Sequence, residues 1–290
     1  MSSPTEWTPP KAIEELFAQT AGNNFASINA PTAGARTVQE LPKGSAPLQL
    51  YSLATPNGQK VGIILEELAE AGIKEADYDA FVIRLNGEQF TSGFVGVNPN
   101  SKIPALVDTK PSDGGEPVNL FESANIVLYL AEKHKFLMPE DSRKKAEVMN
   151  WVFWQMAGQG PMTGNFGHFF VYAPADKVEA RNYGVARYGM EVLRLSDVLE
   201  KHLADGRSYL LGEDYTIADV VVFPWFNTLH RGYAHKSGMT AATFLNVDRF
   251  PKLNAWRDRL LARPAVQRGI TVCRGTDGVG KPWLADNQKL

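Results

Sequence analysis

The fold of this 290-residue chain is decided by two stretches, Asn98-Pro-Asn-Ser-Lys-Ile-Pro104 and Phe121-Glu-Ser-Ala-Asn-Ile-Val-Leu-Tyr-Leu-Ala-Glu132. The first leads into an apolar run that predicts a strand beginning at a proline, where no hydrogen-bond donor to the ladder is needed. Such a start leaves the backbone of Ile103 open to pairing. The second stretch changes from extended to helical spacing at Glu122-Ser123, and Ser123 is a residue that can cap a helix.

These groups together suit a short peptide ligand. An open strand backbone can pair with the peptide backbone, a hydroxyl and a helix N-terminus can receive a carboxylate, and an acid can receive an ammonium. Glutathione carries all of these groups. Two plainer interpretations remain open: Glu122-Ser123 as an ordinary helix start, and Pro104 as an ordinary trans proline that begins a strand.

Composition indicates a soluble globular protein, with 44% hydrophobic residues, 21% charged residues and a net charge of −2. We therefore expect no nucleic-acid partner and no membrane partner. The first residues do not resemble a secretory signal, so we expect a cytoplasmic protein. Cys273 is the only cysteine, which excludes an internal disulfide. The five histidines have no metal-ligand spacing, so no metal is expected.

The chain divides into four segments. Residues 1–45 form a turn-rich N-terminal extension that is either a disordered arm or a docking segment. Residues 46–138 alternate strands and helices in the order of a thioredoxin-like α/β domain. Residues 143–268 are predominantly helical and predict an all-α C-terminal domain, and residues 269–290 read as a polar tail.

A turn at Thr55-Pro-Asn-Gly58 links a predicted strand, Leu48 to Leu53, to a predicted helix, Lys60 to Ala71. Thr55 suits the N-cap and Pro56 the first helical position. In a thioredoxin-like fold this turn carries the reactive thiols, whose pKa the helix start lowers. No cysteine is present here. Any sulfur chemistry must therefore use a thiol brought by the substrate, with the Thr55 hydroxyl and the Asn57 amide stabilising its thiolate.

Two further pairs of residues have alternative interpretations. Tyr51 and Ser52 could activate a thiol, but adjacent strand residues point to opposite faces, so at most one can face it. Packing is the plainer interpretation of both. Thr216 and Asp219 predict a structural helix start that resembles a capping box.

The motifs quoted so far, with three further runs, resemble the Nu class of glutathione transferases, which are also described as glutathione-dependent disulfide-bond reductases. The further runs are Phe25-Ala-x-Ile-Asn-x-Pro31, Asn150-Trp-x-Phe-Trp-Gln155 and Gly164-x-Phe-Gly-His-Phe169. The resemblance implies a cis Pro104, a homodimer and two glutathione molecules per subunit.

The resemblance also implies roles for individual residues. Those expected around the first glutathione are Asn29, Thr55, Pro56, Asn57, Gln89, Lys102, Ile103, Glu122 and Ser123, with Gln155 and Arg187 nearer the second. Its implied reaction is thiol–disulfide exchange, with Thr55 and Asn57 as the catalytic residues. Two alternatives remain: conjugation of glutathione to an electrophile, and a noncatalytic regulator built on the same fold.

Overall fold

A four-stranded mixed sheet organises the N-terminal half of the chain. The computed structural model describes residues 7–22, 30–275 and 278–284. Its strands lie in the order β2-β1-β3-β4, with β1 and β2 parallel and the other pairs antiparallel. The strands are β1 (Leu48–Ser52), β2 (Tyr78–Val82), β3 (Ala105–Asp108) and β4 (Val118–Phe121).

The register of the sheet brings the predicted motifs to one end. Tyr51 of β1 lies opposite Ala105 of β3, and Ala105 lies opposite Phe121 of β4. The turn after β1, the loop before β3 and the helix start after β4 therefore follow directly from one row of paired residues.

Helices cover the sheet and build the C-terminal half, as the sequence predicted for a thioredoxin-like domain joined to an all-α domain. On β1, Leu48 and Leu50 belong to the main core with α2, whereas Tyr51 belongs to a separate cluster on the other face. The helices are α1 (Glu14–Phe17), α2 (Pro56–Glu70), α3 (Ser92–Val97), α4 (Ser123–His134), α5 (Ser142–Trp154), α6 (Gly160–Gly167), α7 (Val178–His202), α8 (Ile217–Arg231), α9 (Ala241–Leu245), α10 (Pro251–Leu261) and α11 (Pro264–Gly269).

The C-terminal segment contacts the sheet domain in the part that the structure describes. The α11 helix packs against α2 so closely that a Cβ on Gly62 would lie 2.3 Å from the carbonyl oxygen of Gly269. Beyond it, the Cys273 amide donates to the carbonyl of Gly280 at 2.8 Å, and Gly280 lies against Ala80 of β2. The described residues Gly269, Cys273 and Gly280 therefore pack against the sheet domain or against one another, and the interpretation of 269–290 as a separate polar tail stays a prediction.

The second part of the N-terminal extension is docked along the sheet domain. The Arg36 amide donates to the Phe90 carbonyl at 2.8 Å, and the Ser92 amide donates to the Thr37 carbonyl at 2.9 Å. Tyr51 donates its hydroxyl to the carbonyl of Pro42 at 2.8 Å. These bonds fit the docking interpretation of residues 30–45.

Candidate functional site

A cavity of about 650 Å³ opens at the end of the sheet where the motifs meet. Its walls come from the start of α2, the loop before β3, the extension and three aromatic residues of the helical half. The predicted site residues that line it are Thr55, Pro56, Asn57, Gln89, Lys102 and Ile103.

The Thr55 turn has the geometry that the sequence predicted. Thr55 is the N-cap of α2, and its hydroxyl oxygen accepts a hydrogen bond from the Gly58 amide at 3.3 Å. Pro56 occupies the first helical position, where its missing N–H costs nothing. Because the Thr55 oxygen acts as the acceptor, its hydroxyl proton is available to donate to an anion in the cavity.

Asn57 is oriented by the other domain. The indole nitrogen of Trp225 in α8 donates to the Asn57 side-chain oxygen at 2.9 Å. An indole N–H can only donate, so this contact assigns the oxygen of Asn57 to the Trp225 side. The Asn57 NH₂ group, a pair of donors, is therefore directed away from that contact.

The loop before β3 presents an open backbone. The Ile103–Pro104 bond is cis, as the resemblance implied. Asn98 shapes this loop by donating to the Lys102 carbonyl at 2.6 Å and accepting from the Asn100 amide at 2.9 Å. Within the described part of the chain, Ile103 makes no backbone hydrogen bond. A peptide could therefore pair with it.

Glu122 and Ser123 differ from the prediction in one respect. Ser123 does not cap α4, because Glu122 is the N-cap residue and Ser123 is the first helical residue. Glu122 is exposed and has a φ of 66°, a left-handed conformation that non-glycine residues adopt mainly where their surroundings enforce it. No side chain of the described residues caps this helix start, so its first amides can receive a ligand anion.

Ser123 instead bonds to a buried lysine that the sequence interpretation missed. The Lys60 ammonium lies 3.2 Å from the Ser123 hydroxyl, within hydrogen-bond distance of the Gln155 side-chain oxygen and 3.3 Å from the Met156 sulfur. Lys60 is 0% exposed. Burial lowers its pKa to about 7, and the nearby Glu122 charge opposes that shift.

Glu122 and Ser123 do not line the 650 Å³ cavity, and three further predicted residues are not found there either. Gln155 is completely buried and faces Lys60, so in this arrangement its side chain has no access to a ligand. Arg187 is exposed on α7, 6.0 Å from the ring of Tyr188, and does not line the 650 Å³ cavity. Asn29 lies outside the described residues.

Aromatic residues of the helical half complete the wall opposite the turn. Tyr172 and Tyr233 meet edge to face with ring centroids 6.2 Å apart. Both line this cavity and a second one of about 300 Å³ that also touches Thr55 and Pro56. Burial raises the pKa of each phenol, so both are neutral donors at physiological pH. The sequence carried no signal for them, because only the packing of the two halves brings them to the turn.

The other candidate nucleophiles, and the residues that could activate a thiol, are buried or already hydrogen-bonded. The Tyr51 hydroxyl is bonded to Pro42 and its pKa is raised to about 12, chiefly by burial and further by Asp79. Ser52 is buried, 2.7 Å from where a Cβ on Gly58 would lie. Cys273 is 0% exposed, and burial raises its pKa to about 12. A buried thiol with such a pKa is not a ready nucleophile.

Residues 7–22, 30–275 and 278–284 contain no group of three or more His, Cys, Asp or Glu side chains placed to hold a metal ion. Over the same residues, no helix combines the length and the apolar character needed to span a bilayer.

Comparison with known proteins shows which family this chain resembles. The N-terminal and C-terminal domain models of glutathione S-transferase match residues 55–133 and 182–259. The disulfide-bond oxidoreductase YghU of Escherichia coli K12 is 47% identical over 257 residues, which are 88% of this chain and 85% of that protein.

Solved structures give the same result. The glutathione transferase YghU of Streptococcus pneumoniae, in complex with glutathione, superposes with a TM-score of 0.83 at 44% identity, covering 93% of this chain and 98% of that one. A Burkholderia graminis glutathione transferase with two glutathione molecules per subunit has a TM-score of 0.69 at 40% identity, covering 77% of this chain and 87% of that one. This chain therefore belongs to the glutathione S-transferase family.

Proposed function

We propose that this protein is a glutathione-dependent thiol–disulfide oxidoreductase of the Nu class that uses two bound glutathione molecules. The observation that carries the proposal is the Thr55-Pro56-Asn57 turn. It directs a hydroxyl and an amide toward a cavity at a helix N-terminus, and it contains no cysteine. A site that is built to stabilise a thiolate but has no thiol must receive its thiol from a ligand.

The first glutathione lies along the end of the sheet where the Thr55 turn, the loop before β3 and the start of α4 meet. Its cysteinyl backbone pairs with Ile103 and its thiolate lies at Thr55 and Asn57. Its γ-glutamyl carboxylate lies at Ser123 and the first amides of α4, and its ammonium lies near Glu122. Gln89, Lys102, Pro56 and Asn29 contribute the remaining contacts. The similarity to a YghU protein that binds glutathione supports this arrangement.

The second glutathione occupies the side of the cavity formed by the helical half. The two molecules bound in the related Burkholderia graminis transferase support a stoichiometry of two. We expect Arg187 to meet a carboxylate of this second molecule. Because Gln155 is buried, we expect it to act through Lys60 and not by direct contact.

The reaction is a pair of thiol–disulfide exchanges. A glutathione thiolate attacks one sulfur of the disulfide RSSR, forms the mixed disulfide GS–SR and releases one thiolate of the substrate. The second glutathione thiolate attacks the glutathionyl sulfur, forms GSSG and releases the other thiolate. Two glutathione thiols are oxidised, one disulfide is reduced to two thiols, and no protein thiol changes its oxidation state.

Steady-state kinetics test this assignment. We expect kcat/KM for a small disulfide to exceed that for a model electrophile such as 1-chloro-2,4-dinitrobenzene. Thr55→Ala and Asn57→Ala should each lower kcat/KM for the disulfide by about tenfold or more, since each removes a hydrogen bond to a charged sulfur. Cys273→Ala, which alters a buried thiol that does not line the cavity, should retain turnover.

Three outcomes would contradict the proposal. A large preference for the electrophile would favour the conjugating transferase. Glutathione binding without any turnover would favour the noncatalytic regulator. Loss of turnover in a folded Cys273→Ala variant would identify a protein nucleophile.

We further propose a cytoplasmic homodimer. Phe153 on α5 is 65% exposed and Phe121 at the end of β4 is 36% exposed, and large exposed aromatic side chains are typical of interfaces. Sedimentation at micromolar concentration should give about twice the chain mass of 32.0 kDa. A monomer under those conditions would contradict this assembly.

A further inference from the structure

Lys60 occupies an unusual position for a lysine. It lies on α2, between Ser123 of α4 and the π-helical segment Gln155–Gln159 that follows α5, and is 0% exposed. Lysine is almost never fully buried unless it is paired. Its partners here are all neutral: a hydroxyl, an amide oxygen and a thioether. The three N–H bonds of an ammonium meet three acceptors.

The hydrogen bond from Lys60 determines whether the Ser123 hydroxyl can donate its proton to a ligand. An ammonium has no lone pair, so while Lys60 is charged the Ser123 oxygen must accept from it. The Ser123 proton is then directed to another acceptor, which in the structure is the Met156 sulfur at 4.0 Å, a long and weak contact that a ligand carboxylate can replace. If Lys60 were neutral, its lone pair could accept that proton, and the hydroxyl would be lost as a donor to a ligand.

We propose that Lys60 is a positioning residue for the γ-glutamyl carboxylate of glutathione: its ammonium orients the Ser123 hydroxyl and places positive charge beneath the start of α4. This inference rests on the proposed glutathione site. Gln155 anchors the ammonium from the helical half, so the carboxylate end of the site depends on the contact between the two domains.

The position of Lys60 couples ligand binding to its protonation. Burial lowers the pKa of Lys60 to about 7, and the negative charge of Glu122 opposes that shift. Ser123, Gln155 and Met156, its partners on the other two segments, carry no charge. An added carboxylate favours the charged lysine, so ligand binding should raise this pKa and take up a proton at about pH 8.

Calorimetry with S-methylglutathione tests the inference, because this ligand has no thiol to ionise. Titrations at about pH 8 in buffers of different ionisation enthalpy give both the affinity and the number of protons exchanged. The wild-type protein should take up a fraction of a proton. In Lys60→Met this uptake should disappear and Kd should rise about tenfold.

Two further variants keep the test decisive. Lys60→Gln can still donate to Ser123 and Gln155 but carries no charge, so it should lose the proton uptake with a smaller loss of affinity. Lys281→Met is the matched control, because it removes another buried lysine, which bonds to the Tyr78 carbonyl away from the cavity. It should bind S-methylglutathione with wild-type affinity. Circular dichroism verifies that each variant is folded. Wild-type affinity and proton uptake in folded Lys60 variants would overturn the inference alone. Failure of the wild-type protein to bind would overturn the proposed glutathione site itself.

Discussion

At the scale of single residues, the Asn57 amide depends on one hydrogen bond from the other domain. Trp225→Phe keeps an aromatic ring in place but removes the N–H that fixes the Asn57 oxygen. We expect kcat/KM for a small disulfide to fall about fivefold, because one hydrogen bond of about 1 kcal/mol no longer orients the amide. Steady-state assays measure this change.

The matched control for that variant is Trp151→Phe. Trp151 packs edge to face against Trp154 on α5 and does not line the cavity. Its replacement should leave kcat/KM near the wild-type value. A Trp225→Phe enzyme with unchanged kcat/KM would show that another contact fixes Asn57.

Local sequence predicted Thr55 and Asn57 because both lie at the helix start whose signals they carry. Trp225 and Lys60 could not be found in the same way, since their roles arise from contacts across more than 60 residues of sequence. Lys60 had a weak signal: it lies four residues before Ile64, on the apolar face of the predicted helix. A lysine at such a position is either snorkelling or paired in the interior, and only the fold decides between them.

At the scale of elements, Asp219 holds three segments at the start of α8. Its carboxylate accepts from the Leu210 amide at 3.0 Å, the Trp256 indole at 2.9 Å and the Thr216 amide at 3.1 Å. Asp219→Ala would leave all three buried donors unpaired. We expect a loss of about 3 kcal/mol or more of unfolding free energy, against about 1 kcal/mol for Thr216→Ala.

Urea denaturation checks this difference, with Asp141→Ala as the matched control. Asp141 caps α5 at the surface by accepting from the Arg143 and Lys144 amides, so its loss should cost only about 1 kcal/mol. If Asp219→Ala and Asp141→Ala lost equal amounts of unfolding free energy, the buried hydrogen bonds of Asp219 would stabilise the fold no more than an ordinary helix cap.

The elements with strong local signals were predicted well, and those shaped by tertiary contacts were not. The α2 and α8 helices begin where Thr55 and Thr216 predicted, because caps act within one turn. Nothing local in the polar residues after Gly269 indicated that they would pack on the sheet.

At the scale of the whole molecule, ion pairs hold the two domains in the arrangement that the site needs. Arg263 forms a two-pronged pair with Glu67 of α2 at 2.7 and 2.8 Å, and its guanidinium stacks 4.0 Å from the ring centre of Tyr215. Arg268 pairs with Glu66 at 2.6 Å. Because α2 carries both Lys60 and the Thr55 turn, its alignment with the helical half also aligns Trp225 and Gln155 with their partners.

Removing the Arg263–Glu67 ion pair should therefore lower both the free energy of unfolding and the affinity for glutathione. In Arg263→Met the Glu67 carboxylate, whose side chain is 3% exposed, would remain buried without its partner. We expect a loss of about 2 kcal/mol in unfolding free energy and a weaker Kd for glutathione. Lys144→Ala breaks the exposed pair with Asp214, so it should cost between about 0 and 1 kcal/mol and leave the Kd unchanged. Urea denaturation and calorimetry on both variants measure these effects. An Arg263→Met protein with reduced stability but wild-type affinity would show that the domain contact supports the fold without shaping the site.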